Sequence, residues 1–235
     1  MSILLDRLKY GLETTQNPLY ENKFSYGKIL VHDSCTGCSK CLKECITGSI
    51  SIENNKALID AKKCIYCNKC ISSCSNNALS TSHKYKMASL EIAGEELRKK
   101  IFRKFKHSLV LRSVDSGSCN ACMLELSATQ NTFYSLSRFG IDFAASPRHS
   151  DGIVVTGPVT INMRDAILKT YYAMPEPRLV IAVGTCAHDG GIFKDCYGTL
   201  EPLNELLPVT VTIPGCPPSP QAIIYGLLKV MDRDL

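Results

Sequence analysis

The sequence predicts an α/β chain in which a doubly wound parallel sheet follows a small α+β unit. Two observations carry this. From Ser108 onward, short apolar runs alternate with helical patterns, and Gly and Pro punctuate the joins. Ahead of them, one short cysteine-bearing unit occurs twice, Cys35-x2-Cys38-x2-Cys41-x3-Cys45 and then Cys64-x2-Cys67-x2-Cys70-x3-Cys74, an offset of 29 residues (Cys35 to Cys64).

Taken in order, residues 1–27 form an N-terminal extension. Met1–Tyr10 includes Asp6, Arg7 and Lys9, so it lacks the apolar core of a secretory signal, and a cytosolic setting is expected. Residues 28–84 hold the repeat. Each copy ends in a small-residue turn and an alternating strand-like piece, Ser49–Ile52 and Ala78–Thr81. Neither copy has enough apolar residues to fold alone, so a bound cofactor must supply much of the stability. Residues 85–107 read as a basic helical linker, with Leu97, Ile101 and Phe105 at i, i+4 and i+8 among six Lys and Arg. The plain reading is a solvated helix with one face on its own protein; the sharper one is docking to an acidic partner or a membrane surface.

Residues 108–235 form the larger domain. Ser108–Val114, Gly152–Val155, Leu179–Val183 and Val209–Ile213 read as strands; Met123–Arg138, Met163–Met174 and Gln221–Met231 read as helices. In such sheets, sites form at the carboxyl ends of the strands.

Composition narrows the function. No apolar run approaches the ~18–20 residues that span a bilayer. Residues 28–107 hold 15 Lys/Arg against 7 Asp/Glu, a net of +8, whereas residues 108–235 hold 9 against 12, a net of −3. That asymmetry suggests two units with different partners. Nucleic acid is not expected among them, because no aromatic-interleaved basic motif accompanies the charge. A chain expected in a reducing compartment has little use for disulfides, yet it has 13 cysteines, an odd number, which points to metal.

Zinc sites also use Cys-x2-Cys pairs, but as two separated pairs rather than three evenly spaced cysteines and a fourth. The observed spacing resembles the two-cluster bacterial ferredoxins over about 55 residues; in that run the fourth cysteine serves the other cluster. Cys35, Cys38, Cys41 and Cys74 are therefore assigned to one 4Fe–4S cluster, and Cys64, Cys67, Cys70 and Cys45 to a second. Those proteins usually have Pro after the fourth cysteine; here Ile46 and Ser75 stand there. Pro is not a ligand, so the departure bears on turn geometry and potential, not on binding. The Ser75 hydroxyl either donates to a cluster sulfur or faces water.

Five cysteines remain. Cys119 and Cys122 follow the first strand of the larger domain, Cys186 the third and Cys216 the last, each beside glycine. All four fall at one edge of the sheet and can complete a third all-cysteine site. Four separately buried thiols are the alternative. A nucleophilic-cysteine enzyme has little support, since no His falls in a recognisable Cys–His motif.

Residues 108–235 resemble the small subunit of membrane-associated, energy-converting nickel–iron hydrogenases, especially the formate hydrogenlyase type, and the homologous cluster-bearing subunit of respiratory complex I. The motifs are Asp115-x-Gly117-Ser118-Cys119-Asn120-x-Cys122-x-x-Glu125, Arg138-Phe139-Gly140-Ile141, Ser146-Pro147-Arg148-His149-x-Asp151 and Thr156-Gly157-x-Val159-Thr160. Met174-Pro175-Glu176-Pro177, Gly184-x-Cys186-Ala187 and Pro214-Gly215-Cys216-Pro217-Pro218-x-Pro220 follow in the family's order. The resemblance implies a flavodoxin-like sheet domain behind a bacterial ferredoxin-like domain. It implies that Cys119, Cys122, Cys186 and Cys216 hold a proximal 4Fe–4S cluster beside a nickel–iron site that belongs to a partner chain. Glu125 matches a family acid near that interface, where it either relays protons or pairs with a partner cation. Arg148 and His149 lie in the family's interface loop, and no catalytic role is assigned to either. Cys196 has no matching ligand and is expected to be a buried structural thiol. Complex I subunits usually begin with adjacent cysteines, whereas Cys119-x2-Cys122 is the hydrogenase-type spacing.

The expected function is an electron-transfer subunit with three 4Fe–4S clusters, serving proton reduction to dihydrogen. Its expected partners are a hydrogenase-type large subunit, an electron-donor subunit or soluble ferredoxin, and integral membrane subunits. It would sit in the cytoplasm, peripheral on the inner face of the cell membrane. The alternatives are relay to quinone or another non-nickel acceptor, as in complex I, and a stand-alone ferredoxin-like carrier.

Overall fold

The structure, a computed structural model, describes residues 3–11, 17–21, 25, 27–92 and 95–233, without the side chains of residues 3, 4, 96 and 97. Helix α1 (Ile3–Tyr10) is followed by the small unit: β1 (Ile29–Val31), α2 (Lys40–Glu44), β2 (Ile50–Glu53), β3 (Lys56–Ile59), α3 (Lys69–Ser72) and β4 (Leu79–Thr81). β1 pairs antiparallel with β4, and β2 with β3. The β2–β3 turn falls on Asn54 and Asn55, both at positive φ (48° and 58°), the conformation a two-residue hairpin asks of its centre. The repeat in sequence is a repeat in conformation. Ser39 (φ 62°, ψ 7°) and Asn68 (φ 60°, ψ 7°), 29 positions apart, are both left-handed at the starts of α2 and α3. The core of this unit is Ile29, Ile50, Ala57 and Leu79 together with Cys41 and Cys64, so thiols supply a third of its fully buried members.

The larger unit comprises β5 (Ser89–Leu90), α4 (Glu95–Phe105), β6 (Leu109–Asp115), α5 (Ala121–Ala128), β7 (Ile141–Phe143), β8 (Gly152–Thr156), α6 (Arg164–Ala173), β9 (Leu179–Val183), α7 (Thr185–Asp189), α8 (Leu203–Leu206), β10 (Val211–Ile213) and α9 (Pro220–Val230). The sheet order is β5-β10-β9-β8-β6-β7, parallel except for β5. Numbered from the first parallel strand, β7-β6-β8-β9-β10 reads 2-1-3-4-5, the flavodoxin-like order. β8 and β9 are buried at all five positions, as central strands covered on both faces must be. One core contains Phe105, Leu126 and Leu227 from α4, α5 and α9; the other contains Ile167, Ala187 and Leu203 from α6, α7 and α8.

Three elements differ from expectation. The helix expected over Met123–Arg138 stops at Ala128, where the polar run Thr129-Gln130-Asn131 diverts hydrogen bonds to side chains: the Thr129 hydroxyl donates to the Leu126 carbonyl, and Asn131 Oδ1 accepts the Tyr134 N–H. Only Leu136–Phe139 resumes, as a 3-10 turn. β7 and β5, at three and two residues, are too short to show a period and exist through tertiary pairing. β5 also shows that the linker is woven into the larger unit, since Tyr85, Ala88, Ile101 and Phe105 join its core. The side chain of Leu97, part of the expected apolar stripe, lies outside the described residues. The N-terminal segment is anchored too: Leu19 is in the core, and Gln221 Nε2 donates to the carbonyls of Pro18 and Tyr20. Among the described residues, no helix is long and apolar enough to cross a membrane.

Candidate cluster sites

In the small unit, the left-handed turns at Ser39 and Asn68 aim the Cys-x2-Cys-x2-Cys loops inward. Cys35, Cys38, Cys41 and Cys74 line one pocket; Cys45, Cys64, Cys67 and Cys70 line another. The fourth cysteine of each run therefore crosses to the other run's pocket. Backbone donors reach the sulfurs at matched places, Ala78 N–H to Cys74 Sγ (3.3 Å) and Ser49 N–H to Cys45 Sγ (3.3 Å), each four residues on. Ala57 and Tyr66 donate to Cys35 and Cys64, both at 3.4 Å. The Ser49 hydroxyl lies 3.1 Å from Cys45 Sγ. The Ser75 hydroxyl instead accepts from Lys40 Nζ at 3.3 Å, at an exposed position.

Burial pushes the thiols of Cys41 and Cys64 up, and that of Cys70 to about 11, with neighbouring thiols adding to the effect. Cys45 is the exception: burial is outweighed by hydrogen bonds from Ser49 and Thr47, and its thiol is held below the ordinary value.

In the larger unit, the carboxyl ends of β6, β9 and β10 lead to Cys119 and Cys122, Cys186, and Cys216. Asp115 shapes the first loop, its Oδ1 accepting from the N–H groups of Gly117 (2.9 Å) and Ser118 (2.8 Å). Asn120 then turns left-handed (φ 71°) into α5. Two glycines let sulfur approach backbone. A Cβ on Gly184 (φ 91°) would stand 2.5 Å from Cys122 Sγ, and one on Gly191 (φ 55°) would stand 2.8 Å from Cys186 Sγ. Burial, then the thiols of Cys186, Cys216 and Cys119, push Cys122 up to about 12; burial and Cys216 push Cys186 up to about 11.

Bare, these buried thiols resist ionisation and oppose one another's charge. A cationic inorganic core reverses that balance, because it stabilises all four thiolates at once. Among the described residues, no three Cys, His, Asp or Glu side chains close on a point as one ion requires. Rings of sulfur around a pocket suit a cubane, whose four irons each take one cysteine. The residues present fit 4Fe–4S groups.

The other expected residues take these places. Glu125, one turn beyond Cys122 on α5, is half-buried, and burial raises its carboxyl pKa. Arg148 and His149 are exposed. Asp151 serves the fold, its Oδ2 accepting the Val110 N–H at 2.9 Å. Cys196 corrects the expectation of a buried thiol: it is exposed, in a loop after left-handed Asp195 and beside fully exposed Tyr197.

Contacts that join the two units escape sequence reasoning. The Thr185 hydroxyl donates to the Cys64 carbonyl at 2.9 Å and lies 3.3 Å from that of Gly215. Lys62 pairs with Glu91 at 2.6 Å, and the Tyr66 hydroxyl donates to Met87 Sδ. Nothing in a Gly-Thr-Cys tripeptide signals a partner 121 residues away.

Comparison with known proteins agrees with both parts. Residues 28–82 match the 4Fe-4S dicluster domain, and residues 119–230 match the NADH ubiquinone oxidoreductase, 20 Kd subunit. A NADH-quinone oxidoreductase subunit of Geotalea uraniireducens (strain Rf4) is 50% identical over 112 residues, 48% of this chain and 65% of that protein. Formate hydrogenlyase subunit 7 of Escherichia coli (strain K12) is 40% identical over 135 residues, 57% of this chain and 53% of that protein. The probable membrane-bound hydrogenase subunit mbhJ of Pyrococcus furiosus is 41% identical over 120 residues, 51% of this chain and 72% of that protein. The chain thus spans just under two thirds of the first relative's length and about half of the second's. The chain belongs to the NADH ubiquinone oxidoreductase 20 Kd subunit family, whose relatives include hydrogenase subunits, with a 4Fe–4S dicluster domain ahead of the family region.

Proposed function

We propose that this chain carries three 4Fe–4S clusters and relays low-potential electrons to a nickel–iron site in a partner large subunit, for proton reduction to dihydrogen. The complex is docked to the membrane, with this chain peripheral on its cytoplasmic face. What supports the reading is two pockets each lined by four cysteines, together with Cys119, Cys122, Cys186 and Cys216 following the carboxyl ends of β6, β9 and β10. Cys35, Cys38, Cys41 and Cys74 hold one cluster, Cys45, Cys64, Cys67 and Cys70 the second, and Cys119, Cys122, Cys186 and Cys216 the third. Bound there, each cluster supplies reversible one-electron uptake at a potential set by its surroundings.

The chain's own residues do the rest. Ser49, Ala57, Tyr66 and Ala78 direct N–H or O–H groups at sulfur, which favours the more negative state. Gly184 and Gly191 make room for Cys122 and Cys186. Thr185 ties the Cys64 loop to the strand ends that carry the third quartet. Glu125 sits one helical turn from Cys122, where it moves a proton or pairs with a cation of the large subunit. Electrons enter from a donor subunit or a soluble ferredoxin.

Metal analysis of the anaerobically purified complex, with a dihydrogen assay using low-potential dyes, tests this. About twelve irons per copy of this chain, nickel in the large subunit and dye-driven hydrogen evolution are expected. Fewer than three paramagnetic centres after full reduction, or a complex without nickel or hydrogen turnover, overturns it. The second reading replaces nickel with a quinone-reducing terminus. The higher identity to a NADH-quinone oxidoreductase subunit favours it, and the Cys119-x2-Cys122 spacing opposes it.

A further inference from the structure

The basic face of α4 is not used by any of the three cysteine sites. Residues 95–107 hold six Lys/Arg against two Glu, a net of +4. Arg98, Lys99, Lys100, Arg103, Lys104, Lys106 and His107 are all exposed, while Ile101 and Phe105 are buried in the protein's own core. Of these cations, Lys99 pairs with Glu95 and Lys104 Nζ donates to the Glu176 carbonyl. The second contact fixes where the helix lies. Glu176 precedes β9, and Lys106 and His107 run into β6, so α4 follows the amino-terminal edge of the parallel sheet. At that edge Lys106, His107, Arg138 and Arg233 line an open surface depression that has no acidic lining residue. The cysteine quartet of the larger unit lies at the opposite, carboxyl edge, about 17 Å away for a five-residue strand.

We infer that this edge is a docking surface for an anionic phospholipid bilayer. The composition of the face separates a bilayer from an acidic protein. Protein interfaces are built around an apolar or aromatic centre and are depleted in Lys. Here Ile101 and Phe105 of the helix are spent inside the molecule, and Arg98, Lys99, Lys100, Arg103 and Lys104 are exposed as long flexible cations. Such a face gains from headgroup charge without needing shape complementarity. Adsorption at the amino edge also leaves the carboxyl edge, with Cys119 and Cys122, open to the large subunit. The inference deepens the peripheral membrane placement proposed above and rests on it, but it is independent of what the clusters reduce.

The test is co-sedimentation of the purified, iron-loaded full chain with vesicles. Vesicles of phosphatidylglycerol mixed into phosphatidylcholine should bind the chain, pure phosphatidylcholine should not, and high salt should release it. The triple variant Arg98→Gln, Lys100→Gln, Arg103→Gln should lower partitioning roughly a hundredfold, since each surface cation is worth about a fivefold gain at an anionic bilayer. Unchanged iron content and circular dichroism show that the variant is folded. Equal binding to neutral vesicles, no binding to anionic ones, or wild-type binding by the folded triple variant overturns the inference. So does binding of the face to soluble polyglutamate with no vesicle adsorption, which would assign it to an acidic polypeptide. Iron and nickel analysis are untouched by any of these outcomes, so failure here is distinguishable from failure of the redox reading.

Discussion

The hydroxyl of Thr185 donates a 2.9 Å hydrogen bond to the carbonyl of Cys64. One residue precedes Cys186 at the mouth of the larger sheet, and the other opens the second cysteine run of the small unit. The bond therefore ties the wall of one quartet to the wall of the next, and it makes the Cys45/Cys64/Cys67/Cys70 pocket the internal neighbour of the third site.

Replacing Thr185 by Val keeps the shape and removes the donor. Because Thr185 is buried, the Cys64 carbonyl loses a partner with no water to replace it, and the cost is about 1–2 kcal/mol. Denaturant unfolding of the holo chain should register that loss. Reduced samples should also show weaker magnetic interaction between the second and third centres, a change that simple destabilisation elsewhere would not give.

The Ser49 hydroxyl lies 3.1 Å from Cys45 Sγ, so under the proposed assignment it should tune one centre only. Ser49→Ala removes a donor that favours the more negative state. The midpoint of that centre should fall by roughly 40 mV, the equivalent of about 1 kcal/mol for one electron. Redox titration followed by electron paramagnetic resonance should find the other two midpoints unmoved; a uniform shift of all three would argue against a local effect.

Gly184→Ala should cost the third cluster outright. The added Cβ would meet Cys122 Sγ at 2.5 Å, on a backbone at φ 91° that side chains avoid. Iron should drop from about twelve to about eight atoms per chain. The spectrum of the two small-unit centres should persist, because Gly184 lines neither of their pockets.

The Lys62–Glu91 pair gives the interface a pH signature. Burial alone would raise the Glu91 carboxyl, but hydrogen bonds from Lys62 and Ser89 outweigh it, so its value is held below the ordinary carboxylate range. A depressed folded value stabilises above the unfolded value, about 4.3, and that stability is lost as pH falls through the folded value. Each partner is about a third exposed, so screening limits the pair to about 0.5–1 kcal/mol. Glu91→Gln should therefore unfold more easily than wild type at pH 7, with the difference closing as the pH falls below about 4.3 and through the lowered folded value. A gap that widens on acidification would reverse the sign assigned here.

The parts of this molecule that are periodic or repeated are legible in its sequence. Leu179–Val183 reads as a strand and is one, because five apolar residues between Pro177 and Gly184 admit little else. The two cysteine runs announce their own duplication, and the conformations at Ser39 and Asn68 repeat with them. What escapes is tertiary. β5 pairs with β10 for two residues, Thr185 finds Cys64, and Cys196 surfaces in a loop shaped by a left-handed Asp195. Each depends on a distant neighbour or on a single backbone angle, and neither leaves a pattern along the chain. The helix expected to reach Arg138 shows the opposite failure: apolar spacing continued past Ala128, but Thr129 and Asn131 drew the backbone off.

β5 has a meaning beyond geometry. Laid antiparallel against β10, it occupies the margin of the sheet that would otherwise offer bare amide and carbonyl groups to any passing strand. At two residues β5 is itself too short a margin for a neighbouring copy to pair with along that flank. The connector between the two halves also serves as a built-in guard of the sheet.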